Sequence, residues 1–375
     1  MTWKIPLFKM YWDEDDVQSV SSAIRSGMNW ASGPDVLAFE QEIASYIGTK
    51  YALAFSSGTS ALHAVLMAHG IGRDDEVIIP SFTFIATANS PLFVGAKPVF
   101  GDIEEDTYGL DPADVNEKIT KKTRAIIPVH YGGCPCRIKE LREIADDNNL
   151  ILIEDAAEAF GARIQDRKVG TFGESAMMSF CQNKIITTGE GGAIVTDSRD
   201  AYERMKLIRS HGRLETADYF STTETMDYIT LGFNFRISTM IAALGRSQLR
   251  KVDRIIKQRR ADAAYYIKNF QKSCPEISIP LLPDDYYSVY QLLSIRARRR
   301  DELMKHLSDL GIMTKVYFSP VHETHFYKNV LKYTCPLPVT EQISKEIISL
   351  PFYPGIAQEE MDSVVDGIQS FDGVH

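Results

Sequence analysis

Lys184 lies in the stretch Glu-Ser-Ala-Met-Met-Ser-Phe-Cys-Gln-Asn-Lys-Ile-Ile-Thr-Thr-Gly-Glu-Gly-Gly-Ala-Ile-Val-Thr, residues 174–196. Two short apolar runs, Ala176–Phe180 and Ala193–Val195, read as buried strands on either side of a polar turn with glycines at 189, 191 and 192. An amine held between strands near Ser179, in a dry site, can condense with an aldehyde. Most lysines are solvated surface charges, so this residue alone decides nothing. Three other features give it a context. Ser57-Gly58-Thr59-Ser60 opens an apolar helical run; glycine allows close backbone approach, and first-turn N–H groups with the helix dipole favour a phosphate. An ordinary capped helix start would look the same, and the absence of a following Gly-Lys-Ser/Thr speaks against a nucleotide-triphosphate loop. Asp155 follows the apolar run Leu150–Ile153, where it could meet a protonated heterocycle nitrogen or cap a helix starting at Ala156. Phe84 stands near another helix start, placed to stack on a flat ligand or to pack in the core.

A phosphate cradle, a carboxylate for a ring nitrogen, an aromatic face and a lysine amine are the four handles of pyridoxal phosphate. On this reading Lys184 is the covalent anchor and the general base of a proton shift, while Asp155 keeps the pyridine protonated.

The elements that must position these residues follow a regular rhythm. Strands are expected at Tyr51–Phe55, Glu76–Ile79, Pro98–Phe100, Arg124–Val129 and Leu150–Ile153, alternating with helices at Ala61–Ala68, Phe82–Val94 and Ile138–Asn148. Short apolar strands alternating with helices predict an α/β fold with a mainly parallel central sheet covered on both faces. Ligands bind such sheets beyond the carboxyl ends of the strands, where Ser56–Ser60, Pro80–Phe84 and Asp155–Glu158 fall. Further on, Glu215–Tyr228 reads as an ordered polar loop, Ser238–Ile267 as a long helix with a break near Val252, and the chain turns around Cys274–Pro283. A second pattern follows: strands at Tyr290–Arg296 and Ile312–Val316, helices at Arg300–Leu310, Thr340–Ile348 and Glu359–Ser370. The expected division is a large domain over residues 1–255 and a smaller C-terminal α/β domain over 256–375.

A chain of 375 residues can bury a large core, and 44% hydrophobic with 24% charged residues is an ordinary globular composition. A net charge of −9 disfavours a general nucleic-acid or anionic-membrane binder. Five scattered cysteines point to reduced thiols and a cytoplasmic protein. Cys134 and Cys136 form a C-x-C with no second pair at zinc spacing, so no metal site is expected. The N-terminus lacks the apolar core of a signal peptide, and no run approaches a membrane span.

Several motifs, in order, resemble the DegT/StrS family of pyridoxal-phosphate sugar aminotransferases, which has the fold of aspartate aminotransferase (fold type I). They are Gly33-Pro34 with Glu40, Ser57–His63, Pro80–Phe84, Pro128–Gly133, Glu154–Ala159, Ser179-Phe180 through Lys184 to Gly192, and Gly232-Phe233-Asn234-Phe235-Arg236. The resemblance implies that Lys184 carries the cofactor, Asp155 binds the pyridine nitrogen and Phe84 stacks on the ring. It implies that Gly58, Thr59, Ser60 and Ser179 hold the phosphate, and that Asn234 reaches the phosphate of a neighbouring subunit in a homodimer. Glu158 stands where some relatives place an amide near the cofactor's phenolic oxygen; two adjacent anions repel, so it is expected to be protonated or tilted away. The run Asn183–Gly192 is similar to perosamine-synthase-type enzymes, implying transfer of the amino group of L-glutamate to C4 of a nucleotide-linked 4-keto-6-deoxy sugar. Trp30, Tyr317 and His322 are candidate sugar contacts. The alternatives are amination at C3 or of an eight-carbon keto-sugar acid, or a non-catalytic regulator that keeps the fold.

Overall fold

Seven short strands build the central sheet because each is apolar on both sides. They are β1 (Tyr51–Phe55), β2 (Glu76–Pro80), β3 (Lys97–Gly101), β4 (Thr123–Ile126), β5 (Ile151–Asp155), β6 (Ser175–Ser179) and β7 (Gly192–Thr196). The structure is a computed structural model and describes residues 3–214, 222–223, 225–274, 277–280 and 282–371. Much of the loop expected over Glu215–Tyr228, and parts of the turn at Cys274–Pro283, lie outside the described residues.

Strand alternation sorts the core into two layers. Ala52 and Ala54 join Phe39, Ile43, Met178 and Phe180 on one face of the sheet. Leu53 and Phe55 join Leu62, Val65, Ile79 and Met177 on the other. Full burial of such a side chain is worth roughly 1.5–3 kcal/mol, so a register slip that exposed one set would be costly.

The strand order is β1-β7-β6-β5-β4-β2-β3. Pairing is parallel from β3 through β2, β4 and β5 to β6, whereas β7 is antiparallel to both β6 and β1. Because β7 alone is reversed, β1 runs in the same sense as β6. Phe55, Pro80, Asp155 and Ser179 therefore all end on one edge of the sheet.

Local differences from the sequence expectations follow from tertiary partners. The helix expected from Phe82 begins only at Ile85, with Phe84 at its N-cap in extended conformation, because Phe82 is drawn fully into the core. The long helix expected over Ser238–Ile267 breaks where expected, into Thr239–Leu249 and Val252–Ser273, the second running on past Ile267; at the break, buried Lys251 pairs with Asp16 at 2.8 Å. The C-terminal helix expected to reach Ile348 stops at Glu346, since Ile347–Ser349 pairs antiparallel with Ser294–Arg296. Ile312–Val316 makes only isolated bridges, Ile5 to Ile312 and Lys315 to Ser349. A separate apolar cluster gathers Ala263, Tyr266, Phe270, Leu303, Leu307, Ile348, Val364 and Ile368. No described helix is long and apolar enough to cross a membrane. Among the described residues no cluster of His, Cys, Asp or Glu could hold a metal ion.

Candidate active site

The phosphate turn takes its shape from a capping box. Ser57 Oγ accepts the Ser60 N–H at 3.0 Å, and Ser60 Oγ accepts the Ser57 N–H at 3.1 Å while donating to the Ser57 carbonyl at 2.9 Å. Ser60 is buried and serves the turn from within; Gly58 and Thr59, at the first two helical positions, present N–H groups that no helical carbonyl can take. Gly192 at the start of β7 pairs with both Phe55 and Ser179. A Cβ at Gly192 would lie 2.6 Å from Gly58 N and 2.7 Å from the Ser57 carbonyl carbon, so only glycine lets the strand end reach the turn. A Cβ at Gly58 would meet Met177 Sδ at 2.9 Å and Ser179 Cβ at 3.4 Å, which sets Ser179 beside the turn.

Asp155, the last residue of β5, is 3% exposed. Its Oδ2 accepts from Thr87 Oγ1 at 2.7 Å and its Oδ1 from the Ala157 N–H at 3.1 Å. No helix starts at Ala156, so the expected helix cap does not form; the bond to the Ala157 N–H closes a turn instead. Burial pushes the carboxyl above the usual carboxylate range; Thr87, the Ala157 N–H and Lys184 oppose this, and Glu158 adds to it. Among the described residues no cation forms an ion pair with it. Phe84 is 60% exposed, its ring centroid 6.2 Å from that of Phe318. It is therefore a free aromatic face, and Phe82, two residues earlier, is the core aromatic.

Lys184 lies in the loop between β6 and β7, its N–H bonded to the Cys181 carbonyl at 3.0 Å. Its Nζ donates to Glu158 Oε1 at 3.2 Å, and Glu158 Oε2 accepts the Gly132 N–H at 2.9 Å. Both Glu158 oxygens are thus held, one by the lysine and one by a backbone donor. The smaller C-terminal part reaches the same loop. Gln291 Nε2 donates to the Asn183 carbonyl, and Tyr317, half-buried, has its phenol raised by burial and by the Glu158 charge and lowered by a bond to Asn183.

Three further predicted residues are placed as follows. His322 is 6% exposed, with Nδ1 2.7 Å from Ser81 Oγ and its backbone N–H on the same hydroxyl at 3.1 Å. It braces the segment that carries Phe84 from behind. Trp30 is half exposed, its carbonyl accepting the Thr239 N–H. Asn234 is exposed and bridges to Ser210; the neighbouring Phe235 carbonyl takes the Ser56 N–H at 2.8 Å. Sequence reasoning missed Thr87 and Gln291, and placed Gly132 and Asn183 within motifs without giving them a role. The only signal for Thr87 was its place one helical turn after Phe84, too weak to single it out. Cys134 and Cys136 are buried, and burial pushes both thiols up.

The donor set suits pyridoxal phosphate: a buried acid with no ion-pair partner among the described residues, an exposed aromatic ring, first-turn N–H groups and a lysine amine, all on one sheet edge.

The sequence profile of the DegT/DnrJ/EryC1/StrS aminotransferase family matches residues 11–369. The GDP-perosamine synthase of Escherichia coli O157:H7 is 34% identical over 370 residues, covering 98% of each chain. The dTDP-3-amino-3,4,6-trideoxy-alpha-D-glucose transaminase of Streptomyces venezuelae is 35% identical, covering 94% of this chain and 91% of that one. The crystal structure of S. venezuelae DesV is similar with a TM-score of 0.89 at 33% identity, covering 98% of both chains.

Proposed function

Given that the chain belongs to the DegT/DnrJ/EryC1/StrS aminotransferase family and is a sugar transaminase, we propose that it uses pyridoxal phosphate to move the amino group of L-glutamate to C4 of a nucleotide-linked 4-keto-6-deoxy sugar. The observation that carries the cofactor reading is Asp155, a buried carboxylate with two fixed donors and, among the described residues, no ion-pair partner, on the same sheet edge as Lys184. The similarity to GDP-perosamine synthase supports C4. The similarity to a transaminase whose name specifies a 3-amino sugar supports C3 as the second reading.

Bound pyridoxal phosphate would supply an aldehyde to carry the amino group and a ring that accepts electron density as a Cα proton leaves. Around it, the chain's own residues have distinct tasks. The N–H groups of Gly58 and Thr59, with the Ser179 hydroxyl, would hold the phosphate, and Ser60 keeps their turn closed. Asp155 would face the ring nitrogen as an acceptor, and Phe84 would offer its exposed ring to the cofactor. Lys184 would hold the cofactor through its amine and, once that amine is free, serve as general base for the proton shift. Glu158 would pair with the lysine ammonium, and Tyr317 lies on the other side of the lysine loop.

We further propose a homodimer in which Asn234 reaches the partner's phosphate site. The exposed Tyr228, Ile229 and Leu231 beside Asn234 form an apolar surface that supports this reading. We also propose the division into domains 1–255 and 256–375; apart from Ile5, every buried member of the C-terminal cluster comes from residue 263 onward.

The test is to add pyridoxal phosphate to purified protein, reduce with borohydride and map the adduct by peptide mass. An adduct on Lys184, and none in Lys184→Ala, is expected, with turnover falling at least about a thousandfold in the variant. Glutamate with a panel of GDP-, dTDP- and UDP-linked keto sugars then separates the C4 product from the C3 product by NMR. Absence of any adduct on Lys184 would overturn the cofactor reading.

A further inference from the structure

Thr87 makes two contacts that join separate parts of the site. Its backbone N–H bonds the Phe84 carbonyl at 3.2 Å, and its hydroxyl donates to Asp155 Oδ2 at 2.7 Å. One residue therefore ties the backbone at Phe84 to the buried carboxylate. Thr87 is 1% exposed, so no water competes for its hydroxyl from bulk solvent. Behind it, Thr83 Oγ1 lies 2.9 Å from Thr87 Oγ1, and Thr83 is 3% exposed.

A hydroxyl has one proton to give. With the Thr87 proton committed to Asp155, the Thr83 hydroxyl must donate to Thr87, so the chain runs Thr83 to Thr87 to Asp155. A proton on Oδ2 aimed at Thr87 would reverse both hydroxyls. The other oxygen accepts from the Ala157 N–H, which can only donate. The charged groups that act on Asp155 are Lys184 and Glu158, of opposite sign. The hydroxyl chain is thus the uncharged device that holds the acid as an acceptor in a buried place.

We propose that Thr87, backed by Thr83, is a positioning residue that aims the Asp155 carboxylate at the cofactor's ring nitrogen and keeps it an acceptor there. The proposal rests on the pyridoxal-phosphate reading above. Losing a donor to a charged acceptor weakens its hold on a cation, and the ring nitrogen should then give up its proton more easily.

The experiment uses full-length wild type, Thr87→Val, Thr87→Ser and Thr83→Val, each loaded with pyridoxal phosphate carrying a 15N label at the ring nitrogen. The 15N chemical shift is followed from neutral to alkaline pH, and the cofactor dissociation constant is measured alongside melting of the cofactor-free proteins. In Thr87→Val the ring nitrogen should lose its proton about one pH unit lower than in wild type, with roughly tenfold weaker cofactor binding. Thr87→Ser, which restores the hydroxyl, should restore both. Thr83→Val should shift in the same direction by less, and it stands in if the valine at 87 prevents folding. Equal titration of Thr87→Val and wild type, or a serine variant that behaves like valine, overturns the proposal while leaving the cofactor reading intact. A wild-type protein that takes up no cofactor overturns both.

Discussion

Lys184 and Glu158 form an ion pair at 3.2 Å, with side chains only 14% and 6% exposed, although they lie on segments that follow different strands. Glu158 keeps its second oxygen on the Gly132 N–H. The pair gives the lysine a charged resting partner on the edge where an aldehyde would have to be met.

Removing one half of such a pair strands the other. Glu158→Ala should therefore destabilise the cofactor-free protein by about 3 kcal/mol. Glu158→Gln, which keeps an acceptor for either Lys184 or Gly132, should cost less than half of that. Urea denaturation of the three proteins measures the difference. Equal stability of wild type and Glu158→Ala would mean the pair contributes nothing.

Asp155 gives a prediction with a definite sign. Burial raises its carboxyl above the ordinary 3.8, so the folded state favours the protonated form. Its contribution to stability is fully present below 3.8 and is lost as pH rises through the raised value. Relative to wild type, cofactor-free Asp155→Asn, which carries no charge, should gain stability as pH rises through that window and then level off. Melting temperatures across the acid-to-neutral range test this, and a difference independent of pH would refute it. The same variant should lose transamination.

Gly192 and Gly58 touch backbone to backbone, so the two glycines should not be equally replaceable. Gly192→Ala drives its Cβ against Gly58 N and the Ser57 carbonyl carbon, and should cost about 2–3 kcal/mol together with loss of cofactor affinity. Gly58→Ala meets the end of the flexible Met177 side chain first and should cost less. Calorimetry with and without pyridoxal phosphate ranks them.

His322 should matter for stability and little for substrate recognition. His322→Ala leaves the buried Ser81 hydroxyl without its ring partner and should cost roughly 1–3 kcal/mol. Burial lowers the imidazole below its ordinary 6.5, so wild type should lose this contribution as pH falls through the lowered value, while the variant does not. An unchanged KM for the keto sugar is expected; a large rise in KM with unchanged stability would instead make His322 a sugar contact.

The sequence by itself determined the sheet's strands and the segments that carry chemistry, because both are local signals. Apolar runs such as Leu150–Ile153 can only be satisfied by burial, and Ser57–Ser60 writes its own helix cap. Tertiary structure decided what those segments face. Whether Phe84 or Phe82 entered the core depended on the packing of Tyr108 and Tyr131 around Phe82. Thr87 could not be linked to Asp155 from a separation of 68 residues, nor could Gly132 be linked to Glu158, since such contacts exist only once parallel strands set their ends side by side. His322 shows the converse: its chemistry was legible, but its burial behind Ser81 depended on a fold contact 241 residues apart. Residue type fixes which reactions a side chain is capable of; the shared strand edge fixes which of them can meet.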